Sequence, residues 1–216
     1  KIAVLELRAQ KEFGELSVEE RRDVLVKLTE ELKKLHVTHR QHELTRAMAE
    51  AEKIGDGQKI KEVEVGAPIA GSAAFADNRA YFGHYENEFL CVDLAKGEVV
   101  WRYKDRQFPY FSSPAVTGDR VIFGGRDKRL HCVKRNDGTA VWTFPTRGKV
   151  DSSPVVCDGK VVVGSDDGRL YMVSLADGKE LWSYEIGQPI TGSPAIVAGK
   201  VIIGSEDGNV YCFGVK

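Results

Sequence analysis

The chain has 216 residues, 31 Lys and Arg against 32 Asp and Glu, a formal net charge of -1 and 42% hydrophobic residues. That balance excludes a nucleic-acid binder driven by bulk positive charge and excludes a long disordered tail. Composition is uneven along the chain: Gly14, Gly55 and Gly57 are the only glycines before Gln58, which leaves 19 of the 22 glycines beyond it, with all 7 prolines and all 3 tryptophans. The break at Gly55-Asp56-Gly57 reads as a turn between two regions, 1–57 and 59–216.

The first region reads as an α-helical arm. Ser17-Val18-Glu19-Glu20 has the form of a capping box, in which the Ser17 hydroxyl accepts from the Glu20 amide and the Glu20 carboxylate from the Ser17 amide. Leu25, Leu28, Leu32 and Leu35 then recur at helical spacing, the seam of a helix that packs on a partner. The stripe falters at His36-Val37-Thr38, so one long helix and a hairpin of two helices both stay open. His36, His39 and His42 share an arc of this helix but lack the i, i+4 histidine pair and acidic ligand of a zinc helix, and no metal site is expected. The chain starts at Lys1, which reads as a processed, trimmed or fragmentary start, and no apolar run approaches the roughly 20 residues that cross a bilayer as a helix.

From residue 59 onward the chain repeats. Rows begin at Gly71, Ser112, Ser152 and Gly192, and each opens on a small pair followed by an apolar run: Ser113-Pro114-Ala115-Val116, Ser153-Pro154-Val155-Val156 and Ser193-Pro194-Ala195-Ile196, with Ser72-Ala73-Ala74-Phe75 divergent. A second run ends in Gly83, Gly124, Gly164 and Gly204, and a third carries Cys91, Cys132, Met172 and Cys212. Turn glycines follow at 97, 138 and 178, each four residues before Trp101, Trp142 or Trp182. Four short strands separated by turns, repeated about every 40 residues, make a β-propeller blade. The tryptophans are expected to be structural, each covering a contact between blades, and the third-strand cysteines to be small buried packing groups.

The run Arg169-Leu170-Tyr171-Met172-Val173-Ser174-Leu175-Ala176-Asp177-Gly178-Lys179-Glu180-Leu181-Trp182 and its equivalents resemble the pyrroloquinoline-quinone-type propeller repeat. That repeat occurs in quinoprotein dehydrogenases and in the propeller lipoprotein that assists outer-membrane protein assembly. The resemblance implies a mainly β fold with four four-stranded blades in this chain, and a periplasmic or other extracytoplasmic setting; the unpaired cysteines keep a cytoplasmic one open. It does not imply a quinone. Enzymes of this type typically carry adjacent cysteines, and here no two cysteines are adjacent, so neither cofactor nor catalytic residue is expected.

The last row stops after three strands, and Ile60-Lys61-Glu62-Val63-Glu64-Val65 aligns with the fourth strand Leu181 to Ile186, so it is read as a closing strand. Two arrangements follow: a closed four-blade ring, or two chains that each give half of an eight-bladed ring. Because blades of this type usually form rings of seven or eight, a homodimer is expected, joined through the shared propeller, the helix, or both.

For function the expectation is a non-catalytic scaffold that binds a protein or peptide, with the helical arm for oligomerisation or tethering. The alternatives are a fragment of a quinone-dependent oxidoreductase and a structural sensor module of a larger chain. The loops joining second to third strands and blade to blade emerge on one face. There the first two rows bring Arg106, Phe108, Tyr110, Arg126, Lys128, Arg147 and Lys149, a basic and aromatic half, against acidic loops in the later rows.

Overall fold

A computed structural model describes residues 63–214 of the chain. The arm expected over 1–57, its capping box at Ser17 and the start of the closing strand at Ile60 lie outside the described residues.

Fifteen strands form four antiparallel sheets among the described residues. Blade 1 is β1 (Ala74–Ala76), β2 (Arg79–Gly83), β3 (Phe89–Asp93) and β4 (Glu98–Tyr103). Blade 2 is β5 (Ala115–Val116), β6 (Arg120–Gly125), β7 (Arg129–Lys134) and β8 (Ala140–Pro145). Blade 3 is β9 (Val155–Cys157), β10 (Lys160–Gly164), β11 (Arg169–Ser174) and β12 (Glu180–Glu185). Blade 4 has three strands, β13 (Ala195–Val197), β14 (Lys200–Gly204) and β15 (Val210–Gly214). Within each blade every strand pairs with its sequence neighbour, as the short glycine turns require.

The register reproduces the repeat. Cys91 lies opposite Trp101, Cys132 opposite Trp142 and Met172 opposite Trp182, and after each pair the ladder shifts by one residue. That recurrent bulge re-aims the fourth strand, so its tryptophan turns toward the following blade. Trp101 Nε1 donates to the Arg135 carbonyl at 3.0 Å and Trp142 Nε1 to the Leu175 carbonyl at 2.9 Å, each in the next blade. The rings lie so close over Gly138 and Gly178 that a Cβ there would stand 2.7 Å from the indole, and both glycines hold a positive φ near +70°. Only glycine satisfies both demands.

Each blade is apolar on both faces, so the core lies between blades. The face of blade 2 toward blade 3 presents Ile122, Leu130 and Cys132, packed with Trp142 and Phe144 against Val161, Val163, Tyr171 and Val173. Blade 1 meets blade 2 through Tyr81, Phe89, Cys91 and Trp101, and Val162 and Leu170 of blade 3 meet Ile203 of blade 4. Two backbone devices repeat at the blade seams. The amides of Tyr85, Arg126, Asp166 and Glu206 donate to the carbonyls of Pro68, Pro109, Lys149 and Pro189 at 2.9–3.2 Å. Ser72, Ser113 and Ser153 each donate an amide to the hydroxyl of the next blade's serine, Ser113, Ser153 and Ser193.

Residues 63–65 differ from the expected closing strand, because they pair with no strand. Val63 and Val65 nevertheless pack on Ala80, Phe82, Leu90 and Val92, the face of blade 1 that points away from blade 2. At the matching offset Ile186 packs in the same way against blade 4, and the Tyr184 ring lies 5.1 Å from that of Phe213. The segment thus sits where the fourth strand of a preceding blade would lie, with no edge beside it to complete a ladder.

Candidate functional site

The strand-two to strand-three hairpins and the blade-to-blade connections meet on one face, joined by the amide-to-carbonyl bonds that begin at Tyr85. Of the residues expected there, Arg106, Lys128, Arg147 and Lys149 are exposed, and Phe108 is 46% exposed. Arg126 is half-buried: its guanidinium makes a bidentate pair with Asp151 at 3.0 and 2.8 Å and lies 4.0 Å over the Phe111 ring. Tyr110 turns inward and is 1% exposed, packed edge-on to Phe123. Its hydroxyl accepts the Asp105 amide at 3.3 Å, and burial holds the phenol well above its ordinary pKa.

Tyr85, which sequence reasoning passed over, belongs to this face. It is 50% exposed and stands 4.5 Å from Phe111, so Tyr85, Phe111 and Arg126 form a continuous ledge. The signal was available, since Tyr85 occupies in row one the position of Arg126 in row two.

The basic and acidic halves differ in how their charges are used. Among the described residues, Lys104, Arg106, Lys128 and Arg147 form no ion pair. The acidic half is occupied internally. Asp167 accepts from the Arg147 and Arg169 amides and the Tyr171 hydroxyl, Asp207 accepts from Tyr211 and the Asn209 amide, and Glu185 pairs with Arg169. The hydrogen bond from Tyr211 lowers the pKa of Asp207. Lys128 also carries strain: it holds φ +66°, where Asn87, Gly168 and Gly208 stand in the other blades.

The structural positions of the repeat are equally distinct. Gly83, Gly124 and Gly164 leave no room for a side chain: a Cβ would approach Tyr110, Val150 and Ile190 to 2.4 Å or less, whereas at Gly204 nothing lies within 4 Å. Trp101 and Trp142 are buried, and Trp182 is 38% exposed beside Phe213. All four cysteines are free. Burial raises the thiol of Cys91 and pushes that of Cys132 up to about 11, which keeps both protonated and unreactive at neutral pH.

The sequence profile of the outer membrane protein assembly factor BamB matches residues 44–216. The chain belongs to that family. Among solved structures, BamB from Moraxella catarrhalis is 22% identical with a TM-score of 0.61, over 68% of this chain and 50% of that one. This BamB-family chain therefore spans about half the length of that relative. Two computationally designed proteins also share the fold: Ika4, 17% identical with a TM-score of 0.66 over 74% of this chain and 99% of the design, and Ika8, 18% identical with a TM-score of 0.67 over 75% and 51%. No curated protein matches the sequence. What this chain shares with these solved structures is the fold, and a shared fold does not by itself assign a function.

Proposed function

We propose that this BamB-family chain is a non-catalytic scaffold that binds an extended protein or peptide segment of acidic and aromatic character, and that two copies complete one propeller. The observation that carries the binding reading is the basic half of the loop face. There exposed Phe108 follows Arg106, which with Lys104, Lys128 and Arg147 forms no ion pair among the described residues, and exposed Tyr85 extends the ledge of Phe111 and Arg126, while the opposite carboxylates are already bonded. Exposed aromatics beside unpaired basic groups give a partner both apolar contact and charge complementarity. Outer-membrane protein assembly, the role in the family's name, is the setting this reading favours.

The second copy is supported by the outer face of blade 4. Val210 is 74% exposed and Cys212 is exposed, whereas Phe89, Leu130 and Leu170, equivalent to Val210, are fully buried, as are Cys91 and Cys132. The fitting surface is on the same chain. Blade 1 presents Phe82, Leu90 and Val92 outward, and residues 63–65 lie over them in the place of a fourth strand. In the paired ring that segment adds to the partner's β15, the amide of Ser193 meets the hydroxyl of the partner's Ser72, and each chain contributes a blade edge to the other. The regions 1–57 and 59–216 then divide the work: the helical arm tethers or reinforces the pair, and the propeller binds.

A photo-crosslinking amino acid at Phe108, compared with one at Glu206 on the acidic side, tests the binding reading in cells that produce the chain. A discrete adduct from position 108, absent from 206 and lost with Arg106→Glu, is the expected result. An adduct indifferent to Arg106→Glu, or equal from both sides, contradicts it. Arg106 is the better probe than Arg126, whose replacement also strands Asp151.

A further inference from the structure

The junction of blades 1 and 2 departs from the repeat at several positions, and the departures converge. In blades 3 and 4 an aspartate at the hairpin turn accepts from a tyrosine four residues on, Asp167 from Tyr171 and Asp207 from Tyr211. In blade 2 the tyrosine is replaced by His131, whose Nε2 lies 3.1 Å from Asp127 Oδ1, with both side chains buried. The serine of that turn, Ser165 or Ser205 elsewhere, is Gly125, and a Cβ there would stand 2.4 Å from Asp127 Oδ1 and 3.0 Å from His131 Nε2. Row one carries an extra residue, and its loop brings Asp105 to the cluster, where Thr146 and Ile186 stand at the other junctions. Tyr103, in place of Phe144, sets its hydroxyl 3.0 Å from His131 Nδ1.

None of these changes is needed to pack a blade, since the other junctions pack without them. Together they set one ligand atom each from Asp105, Asp127 and His131 within 4.8 Å of one another. Asp127 is 7% exposed, and its Oδ2 has no hydrogen-bond partner. A buried carboxylate oxygen without a donor is costly unless something positive meets it.

We propose that Asp105, Asp127 and His131 form a divalent transition-metal site at the junction of blades 1 and 2. One imidazole with two carboxylates suits a borderline cation such as Zn2+ better than Mg2+ or Ca2+, which take all-oxygen sets. The 3.1 Å between His131 Nε2 and Asp127 Oδ1 is close to the roughly 3.4 Å that separates neighbouring ligands around tetrahedral zinc with bonds of about 2.1 Å. Binding needs a lone pair on Nε2, so the imidazole proton resides on Nδ1 and is donated to the Tyr103 oxygen. Tyr103 is thus a positioning residue that selects the tautomer. Asp105 is exposed, which gives the ion a way in. Its loop continues into Arg106 and Phe108, so the ion fastens the segment that carries the proposed contact residues.

The test uses the full chain stripped with chelator and titrated with Zn2+ alone, read by calorimetry and by melting temperature, with Co2+ absorption as a second probe. His36, His39 and His42 are potential background ligands, so the reading is the difference between wild type and variants. Asp105→Asn is expected to remove one equivalent of zinc and its thermal stabilisation, while the metal-free melting temperature stays the same. Tyr103→Phe is expected to weaken that equivalent by about 10-fold or more. The same stoichiometry and thermal shift in wild type and Asp105→Asn would overturn the site and leave a buried aspartate–histidine pair. The crosslink from position 108 reads the partner separately, so failure of either proposal leaves the other standing.

Discussion

Leu170 and Val210 occupy the same position of the repeat, on the third strand and facing the next blade, yet one is fully buried and the other 74% exposed. The same contrast separates Trp142, 9% exposed and bonded to blade 3, from Trp182, 38% exposed. Identical local sequence logic has built an interface in one place and an uncovered face in the other. Strand formation in this protein therefore depends on hairpin turns within a blade, while burial depends on the presence of a neighbour. A blade is apolar on both sides because it is designed to be flanked.

The largest expected effect comes from breaking the covered side. Leu170→Asp buries an unpaired carboxylate between blades 3 and 4 and should leave no cooperative folding transition by circular dichroism. Val210→Asp should keep the transition, since its side chain meets solvent in the single chain, and should instead abolish self-association. If the two variants behave alike, the contrast between the faces is wrong.

Next come the tryptophans. Trp142→Ala should cost about 3–5 kcal/mol by urea unfolding, as expected for removing a large ring from a packed junction. Trp182→Ala, measured at dilution where chains are separate, should cost about 1 kcal/mol, because its ring keeps more than a third of its exposure. Equal losses would mean that Trp182 is as well covered as Trp142.

Glycines and thiols sharpen the comparison further. Gly138→Ala combines an unfavourable φ with a contact of 2.7 Å to Trp101 and should cost more than Gly208→Ala, where φ is +84° but nothing lies within 4 Å and a loss of about 1 kcal/mol is expected. Cys212, exposed on the open face, should react with a thiol reagent in dilute protein and become protected as concentration rises, while Cys91 and Cys132 stay unreactive throughout. Reaction of Cys212 at one rate at all concentrations would mean that nothing covers blade 4.

The smallest effect is a pH dependence at His84. This side chain is 1% exposed, and burial lowers its pKa below the ordinary 6.5. The folded state then takes up its proton at lower pH than the unfolded chain. The His84 contribution is unchanged above about pH 6.5 and is lost as pH falls below that toward the lowered folded value. His84→Gln should flatten the acid limb of a stability profile over that interval, and an unchanged limb would mean that another group sets it.

Much of the fold was legible because the repeat exposes its own rules. The spacing of Gly83, Gly124, Gly164 and Gly204 located the end of each blade's second strand to within one residue, and the glycines at 97, 138 and 178 located the turn into each tryptophan-bearing strand. The site was less legible, for a physical reason. Beside Arg106 and Phe108 an aromatic reads as a contact group, yet Tyr110 stands at the repeat position of Val150 and Ile190 and turns inward as they do, over the glycine of the second strand, while Phe108 stays outside. Tyr85 escaped notice because a tyrosine at a hairpin position carries no charge signal. The Asp127 and His131 pair escaped because an aspartate four residues before an aromatic ring is the ordinary turn of this repeat, and only its own burial and the approach of exposed Asp105 distinguish it.

The central claim is that the open face of blade 4 is covered by a second copy of the chain. Size-exclusion chromatography with light scattering on the 216-residue chain tests it most directly. A mass twice the 23.9 kDa of one chain is expected, falling to that of a single chain with Val210→Asp. A mass of one chain for the wild type across the micromolar range would contradict it.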